Sequence, residues 1–290
     1  MAQVQKPTIQ MNWSNRAVIE TPIFRKTMSL KKFLQITQCL HFVNNNTVEN
    51  TDKLCKIKPI INLFNKKFKE VYTMKEDISI DESLMKYKGR LSYKQFNPSK
   101  RARFGIKFYK LCGSESRYCY DFKIDILGYL DNWYSSPKLF KILINCKTNA
   151  VGTVHSNRKY MPKDFITTNL KRGENRMRSC KGILALKWKD KRDVHIISTK
   201  HEKVEMTEQC KNEFNPTLKP KCVIEYNKVM IGIDRQDQML ACFSVMTKYM
   251  KGYRKVFFYI FDIALFNSYI LFNKINDTKK YSYTEYRIQI

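Results

Sequence analysis

At Glu76 the period of the chain changes, and no other sequence feature limits the fold so much. Before it, Leu30, Phe33, Leu34, Thr37 and Leu40 recur at helical spacing, and so do Ile60, Leu63, Phe64, Phe68 and Val71. A polar stretch containing Asn44, Asn45, Asn46, Asn50 and Asp52 separates the two helices. After it, Ile78, Ser79, Ile80 and Asp81 alternate, as in a strand that ends on a carboxylate. Residues 105–112 and 118–126 read as two further strands, and Gly113-Ser114-Glu115-Ser116 suits an antiparallel hairpin between them. Strands first, helices after, is the order of an α/β layered domain.

Beyond Pro137, residues 138–146 predict a short helix and 150–154 a strand. A polar, basic segment then runs from Ser156 to about Thr207, with a strand pair at 183–188 and 194–198 turning at Asp190-Lys191-Arg192. Residues 208–221, which hold Pro216 and Pro220, read as a loop. Two helices close the chain, over about 225–246 and 253–273. The stretch 256–272 is apolar enough to raise a membrane question. It is shorter than a comfortable span and holds Asp262, Asn267 and Ser268, so a buried core helix is the expectation.

Charge narrows the choice of partner. There are 54 Lys and Arg against 26 Asp and Glu, a net charge of +28. Such a surplus repels itself in the compact state unless a polyanion offsets it. Nucleic acid is the default polyanion, because counterion release lets basic surfaces bind it with little sequence demand. A basic protein that binds nothing, or one on an anionic membrane surface, is the alternative. Apolar residues make up 43% of the chain, enough for a packed core. Nine cysteines lie singly with no CxxC pair, which argues against a zinc ribbon and for reduced thiols in a cytosolic or nuclear compartment. No apolar signal segment is visible at the N-terminus.

Residues 84–111 hold nine cations and no acidic residue. Lys86, Lys88, Arg90, Lys94, Lys100, Arg101 and Arg103 are the expected DNA contacts, with Lys107 and Lys110 in the same run. Tyr87, Tyr93, Phe96, Phe104, Phe108 and Tyr109 are interleaved. Cations hold phosphates and aromatic faces can stack on exposed bases. Equally, the aromatics can face the core while the cations solvate the other side. A second basic cluster, Lys171, Arg172, Arg176, Arg178 and Lys181, falls in what reads as loop.

Several linked motifs then meet a known pattern. Ile80-Asp81-Glu82-Ser83-Leu84, Tyr87-Lys88-Gly89-Arg90, Pro98-Ser99-Lys100 and Gly105-Ile106-Lys107 resemble the segment around the first catalytic aspartate of piggyBac-type transposases. Asp131-Asn132-Trp133-Tyr134-Ser135-Ser136 resembles the segment around the second. Gly152-Thr153-Val154 with Ser156-Asn157-Arg158-Lys159 resembles the strand that follows. Tyr226-Asn227, Gly232-Ile233-Asp234 and Asp237-Gln238-Met239 resemble the helix bearing the third.

The resemblance implies an RNase H-like transposase core with an insertion domain before the last catalytic helix. It divides the chain into a helical region (1–75), the first part of the core (76–155), the insertion domain (156–224), the C-terminal core helices (225–276) and a tail (277–290). Asp81, Asp131 and Asp234 would be the catalytic and metal-ligand triad, with Asp237 near enough on the same helical face to approach the metals. Two Mg²⁺ or Mn²⁺ ions would drive nicking, hairpin formation and strand transfer at TTAA targets in double-stranded DNA. Two such ions, about 3.5–4 Å apart, support both oxygens of a phosphodiester displacement. A nuclear location follows, and a homodimer is compatible; no membrane and no small-molecule cofactor are implied.

The departures bear on activity. Asp125-Ile126-Leu127-Gly128-Tyr129-Leu130-Asp131 joins the third strand almost directly to the second aspartate. The family pattern has a Gly-containing loop, a helix and a strand between them. A crossover to a parallel strand takes about a dozen residues or more, so one helix and one strand are expected to be missing near residue 127. Either the segment has been lost or a gene model has skipped it. Ile231 stands where relatives carry a second Gly, and His155 and Tyr160 interrupt what usually reads Arg-Ser-Asn-Arg-Lys-Gly. The acidic N-terminal region and the C-terminal Cys/His domain of full-length relatives are not visible, so sequence preference is expected to be poor. His195 and His201 read as surface residues.

Overall fold

The computed structural model describes residues 4, 6–44, 46, 53–96, 103–125, 135–210, 216–245, 251–276 and 278–290. They form an α/β fold in two compact units, Met1–Gly128 with Met230–Ile290, and Tyr129–Val229.

In the first unit a short 3-10 turn, Gln10–Trp13, leads to α1 (Pro22–Thr27), α2 (Leu30–Gln38) and α3 (Lys58–Val71). Helix α2 starts on Ser29, whose hydroxyl accepts from the Lys32 amide. The sheet is β1 (Ile78–Lys86), β2 (Gln95–Phe96), β3 (Phe104–Gly113) and β4 (Cys119–Ile124), all antiparallel around β3. The hairpin after Gly113 forms as its spacing predicts. Strand β1 does not end at Asp81. It runs five residues further, because Leu84, Met85 and Lys86 keep pairing with Lys107, Ile106 and Gly105. Asp81 therefore sits mid-strand.

Alternation along β3 puts Ile106, Phe108, Lys110 and Cys112 on the face that meets the helices. The core gathers these with Phe68 and Tyr72 from the α3 segment, Phe122 from β4, and the long C-terminal helix. Burying large aromatic side chains at roughly 1.5–3 kcal/mol each holds the layers together. Tyr72 and Tyr118 stack at 4.1 Å, and Phe108 meets Tyr259 at 4.7 Å.

The second unit comprises α4 (Pro137–Asn145), β5 (Val151–Thr153), α5 (Asp164–Thr167), β6 (Asn175–Cys180), β7 (Ile183–Lys189), β8 (Asp193–Ser198), β9 (Met206–Cys210) and β10 (Pro216–Pro220). Its main sheet runs β5-β8-β7-β6, antiparallel throughout. Ala185 and Ile197 face Phe140 and Phe165 on one side; Leu186, Trp188 and Ile196 face Cys222 and Val223 on the other. A sheet covered on both faces is apolar in both alternate rows. Lys187 is buried here and donates to the carbonyls of Phe165 and Thr168.

Two segments read as loops are strands. Asn175–Cys180 carries Arg176 and Arg178, yet it pairs as an edge strand with β7. Met206–Cys210 and Pro216–Pro220 form a hairpin in which both prolines stand at strand ends, where a missing N–H costs least. Strand β5, expected with the first part of the core, pairs with β8.

Helix α6 (Lys221–Cys242) starts four residues earlier than its periodicity suggests; residues up to Val229 belong to the second unit and the rest to the first. Helix α7 (Gly252–Ile275) follows, and the expected tail is a helix, α8 (Tyr283–Gln289). It opens on a capping box: Ser282 accepts from the Glu285 amide and Glu285 accepts from the Ser282 amide. Among the described residues α7 is the one helix long and apolar enough to cross a membrane. It is a core helix in this fold: Asn267 exchanges two hydrogen bonds with the Cys119 backbone, and Arg254 donates to the Gln38 carbonyl.

Candidate active site

The acidic site is assembled where β1 and β3 meet α6. Helix α6 approaches the β3–β4 hairpin closely at Gly232, where an added Cβ would lie 3.0 Å from the Ser114 carbonyl oxygen. One turn on, the Gln236 amide donates to the Arg117 carbonyl at 3.0 Å. These two contacts fix the height of Asp237 over the sheet.

Register does the rest. Asp81 pairs with Lys110 and Ser83 with Phe108, so Asp81, Ser83 and Lys110 share the face toward the helices. Ser83 Oγ donates to Asp237 Oδ1 at 2.7 Å and lies 2.6 Å from the Tyr259 hydroxyl. Lys110 Nζ donates to the same Asp237 oxygen at 2.8 Å and to Gln236 Oε1 at 3.0 Å, and sits 5.1 Å from the centre of the Tyr259 ring. The Lys110 side chain has no solvent exposure, while that of Asp237 is 32% exposed. Burial works against the Lys110 charge, yet Asp237, with Tyr259 and the buried thiols Cys119 and Cys112, holds its pKa above the ordinary lysine value. Burial also pushes the Tyr259 hydroxyl up to about 12, so it stays protonated and can donate.

The structure thus sets Asp237 over the sheet face that carries Asp81, Ser83 and Lys110, and ties it to Ser83 and Lys110. Asp234 is exposed, one turn earlier on α6. Asp131 lies outside the described residues. Among the described residues no three His, Cys, Asp or Glu side chains form a group able to hold a metal ion. One Asp237 oxygen is engaged by an ammonium and a hydroxyl.

A second polar cluster lies on the opposite face of β1 and β3. Lys107 Nζ pairs with Glu82 at 2.9 Å, and Asp125 accepts from Gln95 at 2.7 Å and from Tyr109 at 3.2 Å. Lys107 and Lys110 are thus removed from the expected basic surface: both are buried and paired.

The other expected DNA contacts divide clearly. Lys86, Lys88, Arg90 and Arg103 are exposed, with no carboxylate partner among the described residues. Lys94 is half-buried and lies 5.2 Å over the Phe104 ring. Lys100 and Arg101 lie outside the described residues. The aromatics split as well. Tyr87, Tyr93 and Phe108 are core, whereas Phe96 and Phe104 are 57% and 42% exposed and meet each other at 4.8 Å. In the second basic cluster Arg176 and Arg178 clamp Asp164 at 3.1 and 2.8 Å, tying β6 to α5.

Two histidines read as surface residues are half-buried. His201 Nδ1 lies 2.8 Å from Ser198 Oγ and Nε2 lies 3.2 Å from Glu225. Burial, and then Lys187, lowers the pKa of His195. Among the described residues eight cysteines are free thiols.

Comparison with known proteins agrees with this architecture. The model of the family described as Transposase IS4 matches residues 1–126 and 129–269. The human PiggyBac transposable element-derived protein 2 is 25% identical over 314 residues, covering 92% of this chain and 52% of that protein. The human PiggyBac transposable element-derived protein 3 is 24% identical over 343 residues, covering 99% and 55%. The chain thus spans about half the length of these relatives. Among solved structures, the cryo-EM structure of a piggyBac transposase synaptic complex with hairpin DNA has a similar fold. The TM-score is 0.86 at 21% identity, covering 99% of this chain and 67% of that one. The chain belongs to the Transposase IS4 family, in its piggyBac-type branch.

Proposed function

We propose that this chain binds double-stranded DNA on an RNase H-like transposase core, carries a metal-ligand triad of Asp81, Asp131 and Asp234, and is impaired in cutting and joining DNA. The observation that carries the DNA reading is the exposed row Lys86, Lys88, Arg90 and Arg103, in a stretch without a single carboxylate. Charges left unpaired by the protein attract phosphates, and counterion release drives the association. The exposed Phe96–Phe104 pair beside Lys94 adds an aromatic surface. The similar solved structure is a complex with hairpin DNA, which supports the same partner.

Impairment is supported by the connection to Asp131. The family match parts at residues 127 and 128. The alignment to the second human relative is 343 positions long, more than this chain's 290 residues, so that relative carries stretches with no counterpart here. In this reading a helix and a strand missing near residue 127 account for part of that length. Asp131 would then not arrive beside Asp81, and Mg²⁺ or Mn²⁺ would be held by an incomplete set. The reading also takes residues 156–224 as an insertion domain and places the protein in the nucleus, with a homodimer allowed.

The test is fluorescence anisotropy of a labelled duplex, with and without TTAA, over a salt series, alongside Mn²⁺-dependent nicking. Strong salt dependence with little TTAA preference and weak nicking supports the reading. Absence of duplex binding at low salt overturns it.

A further inference from the structure

A cavity of about 520 Å³ opens in the first unit, apart from the acidic site. Its wall carries Lys53, Lys56, Arg90 and Lys251, with Tyr87 and Tyr93 beneath them. Among the described residues no carboxylate lines it, and none of these four cations has an acidic partner. Four like charges around one concavity repel one another, and focusing in a cleft makes that field stronger. Among the described residues nothing there offsets it.

Two further features carry the same sign. Helix α7 begins in the wall at Gly252, and its N-cap, Lys251, makes no side-chain cap bond. The first turn of a 24-residue helix so placed presents backbone donors and about half a positive charge. Next to the cavity Lys255 lies 5.6 Å over the Tyr87 ring, its pKa lowered by burial and then by Lys86. The volume lies within the roughly 300–1,000 Å³ of small-ligand sites, larger than one solvated side chain needs.

We propose that this cavity is a phosphate-binding site, taking a phosphate group either from a nucleic-acid backbone or from a free polyphosphate. It extends the DNA-binding reading without requiring it, because Lys53, Lys56 and Lys251 lie outside the 84–111 run. Ammonium and guanidinium groups would donate to the phosphate oxygens, Arg90 in bidentate fashion. Tyr87 and Tyr93, largely buried, would close the cavity behind the phosphate.

The experiment is lysine footprinting of the full chain by acetylation and mass spectrometry, with Lys66 on α3 as the exposed reference. The probes are a duplex oligonucleotide and inorganic tripolyphosphate, each alone and in competition. With ligand at ten times its dissociation constant, acetylation of Lys53, Lys56 and Lys251 should fall roughly tenfold while Lys66 is unchanged. Protection by tripolyphosphate alone identifies a free polyphosphate as the ligand. Protection by duplex without protection by tripolyphosphate identifies the DNA backbone. In that case the Lys56→Glu, Lys251→Glu double variant, checked for an unchanged melting curve, should lower the salt slope of duplex binding by about two. Protection by neither probe overturns the proposal. So does duplex protection together with an unchanged slope in the double variant, since DNA would then only cover the mouth. In either failure, duplex binding in the anisotropy assay still stands or falls by itself.

Discussion

The ammonium of Lys110, with no solvent exposure, lies 2.8 Å from Asp237 Oδ1, whose carboxylate is one-third exposed. The two ends of this pair are unequal, and the inequality predicts an asymmetry. Asp237→Ala strands a buried cation and should cost about 3 kcal/mol, as breaking buried pairs does. Lys110→Met leaves a carboxylate that water can reach and should cost clearly less. Replacing both with Met and Leu should recover most of the loss. Urea unfolding of the three variants measures this, and equal costs for the two single changes would refute the asymmetry.

Among the basic residues, only those left unpaired should register in DNA binding. Lys88→Ala, Arg90→Ala and Arg103→Ala should each reduce the slope of log affinity against log salt by roughly one. Lys107→Ala should leave the slope unchanged and lower stability, because Lys107 is buried against Glu82. Anisotropy titrations at several salt concentrations distinguish the two classes.

Asp262 should give the fold a pH signature. Burial pushes its carboxyl up to about 7, against the opposing Val245 amide and Arg287, whose guanidinium stands 3.7 Å away. Between about pH 4 and 7 the folded state then holds a proton that the unfolded state has lost. Stability from this group is therefore present at the acid end and falls as pH rises, by at most about 1.4 kcal/mol per pH unit. Asp262→Asn should remove that slope. Unfolding free energies at pH 5 and 7.5 for both chains test it, and identical pH dependence would exclude the effect.

Much of the fold is legible because its periodicity is simple. The apolar rows of α2 and α3, the hairpin at Gly113–Ser116 and the β7–β8 pair all follow from spacing. Strand β1 is under-read because its inner row is Ser79, Asp81 and Ser83, polar side chains facing a polar network rather than an apolar core. Edge strand β6 is hidden by Arg176 and Arg178, which serve Asp164. The Ser282–Glu285 spacing of a capping box was present, although α8 reads as tail. The buried Lys110 also had a signal. Strict alternation sets it in the row Ile106, Phe108, Lys110, Cys112, where a cation among apolar neighbours marks an inward, paired charge. What spacing could not supply is the partner, since Asp237 is 127 residues away.

The central claim is that the core still holds DNA but delivers its second aspartate poorly. Excision of a TTAA-flanked donor by the natural chain, beside a chain repaired with a loop, helix and strand between Ile126 and Gly128, tests it most directly. A misplacement of about 1 Å can cost roughly 100-fold in rate, so the repaired chain should exceed the natural one by about that factor. Asp81→Ala should abolish the gain. Excision by the natural chain at the level of the repaired one would contradict the account.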